Sequence, residues 1–366
     1  MRIVYVLLSP TFGMHQYTAD LVNRLAEQGH DAALVTTTTL ARDRYSPAVR
    51  VVTPITTHST GFRVEGLRVW QLRRVTQAID ALKPEVVHIT GVHAWNVPLV
   101  RWLRRKGIPT VHTLHDLDPH AGVRFSSLIR HWNRLIIRSV DHLLVHGKVY
   151  AQRLLASGCD SSRVTSVPLL HLFLSYDGFA SLVNREVNYN AWGLFFGRFE
   201  SYKGVSQLIA AEDMLVKSDA GVNLVLAGKG VLNADVAAIP TVEVRNHLIG
   251  DDEAVALFQD CGVLILPYLD ASQSALVAAA YFFAKPVIVT DVGALAEYVQ
   301  QGVTGWVVPA GDSRALADAW RDALADTERL RHMGELGRAW YNTQRQQEEA
   351  ALIAMYLGMR KKEDLA

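Results

Sequence analysis

The chain repeats one local pattern along its length, in which short runs of apolar, β-branched residues alternate with stretches of helical periodicity. Several of these runs are apolar at consecutive positions, which is typical of parallel strands buried on both faces. The pattern predicts two successive doubly wound α/β units, which bind ligands at the carboxyl ends of their strands. The predicted strands are Arg2–Leu8, Ala32–Thr36, Val86–Ile89, Thr110–Leu114, His142–Val145 and Arg163–Pro168, followed by Trp192–Gly197, Asn223–Ala227, Val242–Asn246, Gly262–Pro267, Pro286–Thr290 and Gly305–Val308.

The point at which the pattern restarts divides the chain into domains. We expect an N-terminal Rossmann-like domain over residues 1–184 and a C-terminal one over residues 185–341, joined within the polar stretch 182–190. A chain of 366 residues is long enough to build two hydrophobic cores. Residues 342–366 are expected to form a C-terminal helix that follows a break near Asn342 and returns to the N-terminal domain.

Cysteine usage and hydropathy indicate the cellular setting. Cys159 and Cys261 lie far apart and match no metal or CxxC spacing, so we expect reduced thiols in a cytoplasmic protein. The apolar run after Met1 is short and leads into polar residues, which favours a buried first strand over a signal sequence. No run approaches the roughly 20 apolar residues of a membrane span. The histidines and cysteines match no metal-ligand spacing, and no bound metal is expected.

The formal net charge of +1 hides an asymmetry, because residues 1–177 carry +9 and the remainder carries −8. A basic first half can attract phosphates or an anionic membrane surface. Within it, the segment 124–140 has apolar residues at helical spacing beside a stripe formed by Arg130, Arg134 and Arg138. Two interpretations stay open: the apolar stripe covers the sheet of the first unit, or the helix lies on a membrane through its basic side.

The stretch Phe196–Gly204 is the most informative for chemistry. It follows a predicted strand and directly precedes a predicted helix, and Gly197 lets the backbone approach a ligand. Arg198 and Lys203, five positions apart, can converge on a diphosphate at the positive end of that helix. The residues alone leave open a second interpretation, in which both are solvated surface cations.

The string GRFESYKG over these positions resembles the GR…KG element of retaining glycosyltransferases of family 4 (glycosyl transferases group 1). Those enzymes have the GT-B fold, so the resemblance implies two Rossmann-like domains facing each other across a cleft, with a nucleoside-diphosphate sugar held mainly by the second. The resemblance extends from about Trp192 to Asp312. Further strings similar to family elements, in the family's order, are Leu226–Gly230, Leu266–Tyr268, Lys285–Ile288, Asp291–Gly293 and Gly302–Gly305.

The resemblance also implies the roles of particular residues. Arg198 and Lys203 would neutralise the donor diphosphate and stabilise the leaving group, which makes a metal cofactor unnecessary. His115, which follows the Thr110–Leu114 strand, would meet the donor sugar. Gly13 would lie in a loop that approaches the phosphates, ahead of the helix that the sequence pattern predicts over Tyr17–Gln28. The remaining residues expected at the donor are Gly197, Gly228, Asn246, Ser272, Gln273, Ser274 and Ala275.

Two positions depart from the family pattern. Ala271 and Ala279 stand where the family carries two glutamates, which face the transferred sugar and the ribose hydroxyls. The string over 271–275 instead resembles a bacterial subgroup with an (A/S)(T/S)QS sequence. Gln273 and Ser274 are expected to substitute through neutral hydrogen bonds at the start of a helix, where a serine can equally act as an N-cap. Glu297 matches the family's tail glutamate and is expected to be structural.

The expected activity is transfer of a hexose from a nucleoside-diphosphate sugar to a hydroxyl acceptor, with retention implied by the resemblance. The expected acceptor is a lipid-linked or polysaccharide-precursor glycan. The protein is expected to be cytoplasmic and peripheral at an anionic membrane surface, without nucleic acid as a partner. Loss of both glutamates motivates an alternative, a non-catalytic subunit that binds a nucleotide sugar or glycan. An epimerase of the same fold, acting on the nucleotide sugar alone, is a third possibility.

Overall fold

A computed structural model describes residues 1–62, 64–117, 126–176, 178, 187–190, 192–218, 220–232 and 234–360. The chain divides into two compact units. Unit 1 comprises Met1–Val167, His171–Ser181 and Gln347–Ala366, and unit 2 comprises Pro168–Leu170 and Leu182–Gln346. The predicted boundary between residues 184 and 185 lies outside the described residues.

The described strands of unit 1 form a seven-stranded parallel sheet in the order β3-β2-β1-β4-β5-β6-β7. Its strands are β1 Arg2–Leu7, β2 Asp31–Thr37, β3 Arg50–Ile55, β4 Val86–Ile89, β5 Thr110–Leu114, β6 His142–Val145 and β7 Val164–Ser166. The helices between them are α1 Phe12–Glu27, α2 Leu72–Leu82, α3 Asn96–Arg105, α4 Ser126–Ser139 and α5 Lys148–Ala156. All six strands predicted for this half are present, most with bounds within one residue or two.

Strand β3 was not predicted, and its sequence explains why. Arg50–Ile55 contains Pro54 and lies at the edge of the sheet, where five of its six residues are exposed or half-buried. Proline is tolerated at such an edge because its missing N–H faces away from a partner strand. An edge strand with little burial lacks the continuous apolar run that identified the central strands.

The described strands of unit 2 form a six-stranded parallel sheet in the order β10-β9-β8-β11-β12-β13. Its strands are β8 Trp192–Phe196, β9 Asn223–Gly228, β10 Val242–Asn246, β11 Val263–Leu266, β12 Val287–Thr290 and β13 Gly305–Val308. The helices are α6 Val205–Lys217, α7 Asp251–Asp260, α8 Ala275–Phe282, α9 Ser313–Leu324 and α10 Thr327–Arg360. The strand order reverses at β8, and the loops that follow β8 and β11 flank this switch point, which is where doubly wound sheets bind ligands.

The predicted break near Asn342 is wrong. Helix α10 runs without interruption from Thr327 to Arg360, and the interruption lies earlier, between α9 and α10. There the Asp326 carboxylate accepts the Arg329 backbone N–H at 3.0 Å, so a new helix begins. From Gln347 onward the helix belongs to unit 1, where the Tyr356 hydroxyl hydrogen-bonds Tyr5 at 2.9 Å.

Helix α4 carries the segment for which two interpretations were open. Trp132 and Ile136 are buried, so the apolar stripe covers the interior of unit 1. Arg130, Arg134 and Arg138 are exposed on the other side. The first two residues of the predicted helix, 124 and 125, lie outside the described residues. Among the described helices, none has both the length and the apolar composition needed to cross a bilayer.

Candidate functional site

Two glycines bring the ends of β8 and β9 into contact in unit 2. Gly197 has φ +133° and Gly228 has φ +151°, both in the region that favours glycine. A Cβ atom at Gly228 would lie 1.8 Å from the Gly197 carbonyl oxygen, so no other residue fits. The Gly197 N–H donates to the Ala227 carbonyl at 2.9 Å. The structure therefore brings these two predicted residues together at the carboxyl edge of the sheet.

Lys203 lies in a short 3-10 helix, Ser201–Lys203, directly before α6. Its Nζ atom is 3.7 Å from the centroid of the Tyr268 ring and 5.2 Å from that of Tyr202. Tyr268 is fully buried and follows β11, so its π face holds the ammonium group beside the switch point. A lysine side chain ordinarily samples many rotamers, and this contact restricts them.

Arg198 follows Gly197 directly and is the more accessible of the two cations. Its side chain is 71% exposed, and its Nη1 atom lies 2.6 Å from Glu200 Oε1. An ion pair this exposed contributes little free energy because water screens it. The guanidinium group can therefore exchange Glu200 for an anionic ligand at small cost.

The loops after β8 and β11 are packed against each other. Gly204 has φ +69°, and a Cβ there would lie 1.8 Å from the Pro267 carbonyl oxygen. The Leu269 N–H donates to the Tyr202 carbonyl at 2.8 Å. Helix α6 begins at Val205, directly after Gly204, so its positive end faces this junction of loops. The arrangement places an ammonium group beside a helix N-terminus that has no side-chain cap, where an anion can bind.

The loop 267–274 that leads into α8 carries the predicted sugar-binding string. Ser274 is the N-cap of α8, and its Oγ accepts the Leu276 N–H at 3.4 Å. Ser272 and Ser274 are buried, whereas Gln273 and Ala275 are half-buried. The Ser272 carbonyl accepts the Ala294 N–H at 2.9 Å, which joins this loop to the one after β12.

The two alanines at the family's glutamate positions are both buried, Ala271 at 6% exposure and Ala279 at 0%. Neither position presents a polar group in this chain. Asp270, one place from the expected register, is half-buried, and Glu297 is exposed in the short 3-10 helix Leu295–Tyr298. The polar side chains of this loop are therefore the serines, Gln273 and Asp270.

Asn246 ends β10, and its amide group holds the backbone of Gly230. Its Oδ1 accepts the Gly230 N–H at 3.1 Å, and its Nδ2 donates to the Gly230 carbonyl at 3.1 Å. The side chain therefore fixes the loop after β9. Gly230 of this loop also forms an isolated parallel bridge with Phe199. In this structure Asn246 positions the glycine-rich loop.

His115 directly follows β5 at the carboxyl edge of the sheet in unit 1, where it is 6% exposed. Its Nε2 atom lies 2.9 Å from the Thr90 carbonyl oxygen. A carbonyl only accepts, so Nε2 carries the proton and Nδ1 keeps a lone pair. Burial lowers the pKa of His115, while the Thr90 carbonyl and Asp116 act in the opposite direction. The lowered pKa favours the neutral imidazole.

Sequence reasoning missed two further histidines at the same edge. His146 and His171 follow β6 and β7, and both pack edge-on against Tyr17 at centroid distances of 5.1 and 5.8 Å. The Tyr17 ring also meets His115 at 4.7 Å. The available signal for His146 was its position directly after β6, since the carboxyl ends of parallel strands share one edge. His171 lies five residues beyond β7, and no such signal marks it.

Gly13 was expected in a turn ahead of a helix starting at Tyr17, and this is wrong. Helix α1 begins at Phe12, so Gly13 lies in its first turn with ordinary helical geometry. The helix begins early because the Met14 and His15 N–H groups already donate to the Thr11 carbonyl. A Cβ atom at Gly13 would have no described atom within 4 Å, so open space lies beside it.

The described residues contain no group of three or more His, Cys, Asp or Glu side chains arranged to hold a metal ion. The candidate site is instead cationic and rich in backbone donors. Such a site binds phosphate oxygens rather than cations.

Comparison with known proteins agrees with this geometry. Residues 12–169 match the family model described as a glycosyl transferase 4-like domain, and residues 192–326 match that of glycosyl transferases group 1. The fold is also that of a solved structure, HepE of Anabaena in complex with UDP and glucose, with a TM-score of 0.69, 16% identity and coverage of 97% of this chain and 100% of that one. The chain is a group 1 glycosyltransferase with the GT-B fold.

Two curated relatives show how far the likeness extends. D-inositol 3-phosphate glycosyltransferase of Mycobacterium avium is 26% identical over 350 residues, which cover 86% of this chain and 80% of that protein. An uncharacterized glycosyltransferase of Methanocaldococcus jannaschii is 29% identical over 165 residues, which cover 43% of this chain and 46% of that protein.

Proposed function

We propose that this enzyme transfers a hexose from a nucleoside-diphosphate sugar to a hydroxyl acceptor, with retention of anomeric configuration. The observation that carries the proposal is the position of Lys203 over Tyr268, beside the start of α6 at the switch point of unit 2. HepE, which shares the fold, was solved with UDP and glucose. We propose a lipid-linked or polysaccharide-precursor glycan as the acceptor.

The proposed chemistry depends on the departure of a nucleoside diphosphate. Negative charge builds on the phosphate oxygens as the glycosidic bond breaks, so cations fixed in advance lower the barrier. Lys203 supplies a point charge, and Arg198 supplies a planar fork that matches two phosphate oxygens. Because these residues carry the charge, no bound metal is part of the proposal.

The sugar would be recognised without the usual glutamates. Gln273 and backbone N–H groups at the start of α8 are the available neutral partners, because Ser274 already caps that helix. In unit 1, we assign His115 a contact with the donor sugar. We assign Gly13, Gly197 and Gly228 the role of letting the donor approach the backbone.

A donor panel tests the proposed activity. Purified protein is mixed with UDP-, GDP- and ADP-hexoses, and release of the nucleoside diphosphate is followed with and without EDTA. We expect slow hydrolysis of one donor that survives EDTA, with the released sugar keeping its anomeric configuration by NMR. Nucleotide binding by calorimetry without turnover of any donor, with glycan or lipid-linked acceptors added, would favour the non-catalytic subunit instead.

Tyr268 offers a separate test of how Lys203 is held. Replacing Tyr268 with Leu removes the π face under the ammonium group, and we expect the KM for the donor to rise about fivefold. Tyr268→Phe is the matched control, since it keeps the ring. The Tyr268 hydroxyl has no hydrogen-bond partner among the described residues, so its loss should leave KM unchanged. Equal KM values for the two variants would contradict the cation–π role.

A further inference from the structure

The segment ahead of α2 exposes three large apolar side chains in succession. It consists of the short 3-10 helices Val64–Leu67 and Val69–Gln71. Leu67 is 73% exposed, Val69 is 56% exposed and Trp70 is 69% exposed. Single exposed apolar residues are ordinary, but a cluster that includes a tryptophan marks an interaction surface.

The backbone under these side chains is held firmly to the body of unit 1. The Gly66 carbonyl accepts the indole N–H of the buried Trp95 at 2.8 Å. The Glu65 carboxylate accepts the His58 N–H at 2.8 Å and the Ser59 hydroxyl at 2.5 Å. The exposed residues are therefore presented on an ordered support, so little conformational entropy is lost when they bind.

The exposed charges beside the apolar residues are mainly basic, because the one carboxylate of the segment, Glu65, is half-buried and hydrogen-bonded to His58 and Ser59. Arg68, Arg73 and Arg74 are all exposed, and the sequence from Gly66 to Ile79 contains no acidic residue. Guanidinium groups beside an exposed tryptophan and aliphatic side chains match the surface of an anionic bilayer. The indole lies at the headgroup level, the aliphatic side chains enter the acyl boundary, and the arginines meet lipid phosphates.

The segment lies at the same edge of the sheet as His115. Gly66 contacts Trp95, and the Thr60 carbonyl accepts the Ala94 N–H at 2.9 Å, so the segment lies against the connection that follows β4. The end of β4 leads to Thr90, whose carbonyl accepts the His115 Nε2–H. A bilayer bound by this segment would therefore face the carboxyl edge of unit 1.

We propose that Leu67–Arg74 is a membrane-contacting element that docks unit 1 on an anionic bilayer. Leu67, Val69 and Trp70 enter the interface, and the three arginines bind headgroup phosphates. This surface is different from the arginine side of α4. The proposal does not depend on the donor or the reaction, since binding to vesicles is measured without either.

The test is co-sedimentation of the full chain with vesicles of phosphatidylcholine alone or with about 30% phosphatidylglycerol, an anionic lipid. We expect binding only to the anionic vesicles, weakened by salt. The double variant Leu67→Ser/Trp70→Ser should bind about tenfold more weakly or worse, because it loses most of the apolar contact. Arg73→Glu/Arg74→Glu should bind more weakly by a similar factor.

Two matched controls separate this segment from other surfaces. Leu155→Ser changes a leucine of α5 that is 41% exposed in the same unit, and it should bind vesicles like the wild type. Arg134→Glu/Arg138→Glu on α4 should weaken binding less than the Arg73/Arg74 variant. Equal thermal midpoints and equal donor hydrolysis would show that the Leu67/Trp70 variant is folded.

Spectroscopy gives an independent readout. The emission of Trp70, obtained as the difference between wild type and Trp70→Phe, should shift to the blue when anionic vesicles are added. Wild-type binding by Leu67→Ser/Trp70→Ser would overturn the proposal. A surface that serves a protein partner would show no preference for anionic lipid. Equal binding of the wild type to neutral and anionic vesicles would therefore also overturn the proposal.

Discussion

Lowering the pH from 7 to 5 is expected to unfold unit 1, because that unit buries histidines that stay neutral in the folded state. His15, His93 and His112 show the effect most clearly. Burial lowers their pKa values from 6.5 to about 4, 4 and 3. Burial also lowers the pKa values of three more: His88, His115 and His146. All six belong to unit 1.

The sign follows from proton linkage. Below the unfolded pKa of 6.5, the unfolded chain binds protons that the folded chain does not, so the free energy of unfolding falls as pH falls. Each such histidine lowers the free energy of unfolding by about 1.4 kcal/mol for each unit by which the pH falls, so the first three together lower it by about 4 kcal/mol per pH unit. The other three act in the same direction. A domain is typically stable by about 5–15 kcal/mol, so little stability should remain near pH 5.

Hydrogen exchange by mass spectrometry at several pH values, corrected for intrinsic rates, checks this expectation. Protection of β1 and β4 to β6 should be lost near pH 5, while the strands of unit 2 serve as an internal reference. In urea titrations, His112→Gln should reduce the pH slope of stability by about one proton, since one titrating group is gone. A flat free energy of unfolding between pH 7 and 5 would contradict the neutral, buried state of these residues.

Replacement of Arg198 or Lys203 with Ala is expected to reduce donor turnover by about a hundredfold or more. A single group that stabilises developing charge in a preorganised site contributes roughly 10²–10³ in kcat. Donor affinity should fall as well, because in the proposed site both cations bind the diphosphate before the bond breaks. The loss should be larger for Lys203, since Tyr268 already holds its ammonium group in place.

The measurement is nucleotide release at saturating and limiting donor, with nucleoside-diphosphate binding by calorimetry. Lys217→Ala is the matched control. Lys217 is 73% exposed and lies at the far end of α6, where it pairs with Asp213. Its replacement should therefore leave activity unchanged. If Arg198→Ala and Lys203→Ala both bind the donor like the wild type, the phosphate lies elsewhere.

Several features of this protein could be predicted from local sequence. The buried central strands appeared as apolar runs because both of their faces are covered. Edge strand β3 did not, since its burial is low and it contains Pro54. The start of α1 at Phe12 and the continuity of α10 were mispredicted, because helix boundaries depend on hydrogen bonds that the sequence pattern does not show.

Local sequence signals were sufficient to predict the two doubly wound units and the loop that carries Arg198 and Lys203, because buried strands and loop glycines are visible in the sequence. The contacts that hold this loop in place are visible only in the folded protein. The cation–π contact of Lys203 with Tyr268, and the approach of Gly228 to the Gly197 carbonyl, join residues from different strand ends. The cluster of buried histidines around Tyr17 likewise joins distant segments of the chain. Contacts of this kind depend on the packing of the sheet, and no local pattern encodes them.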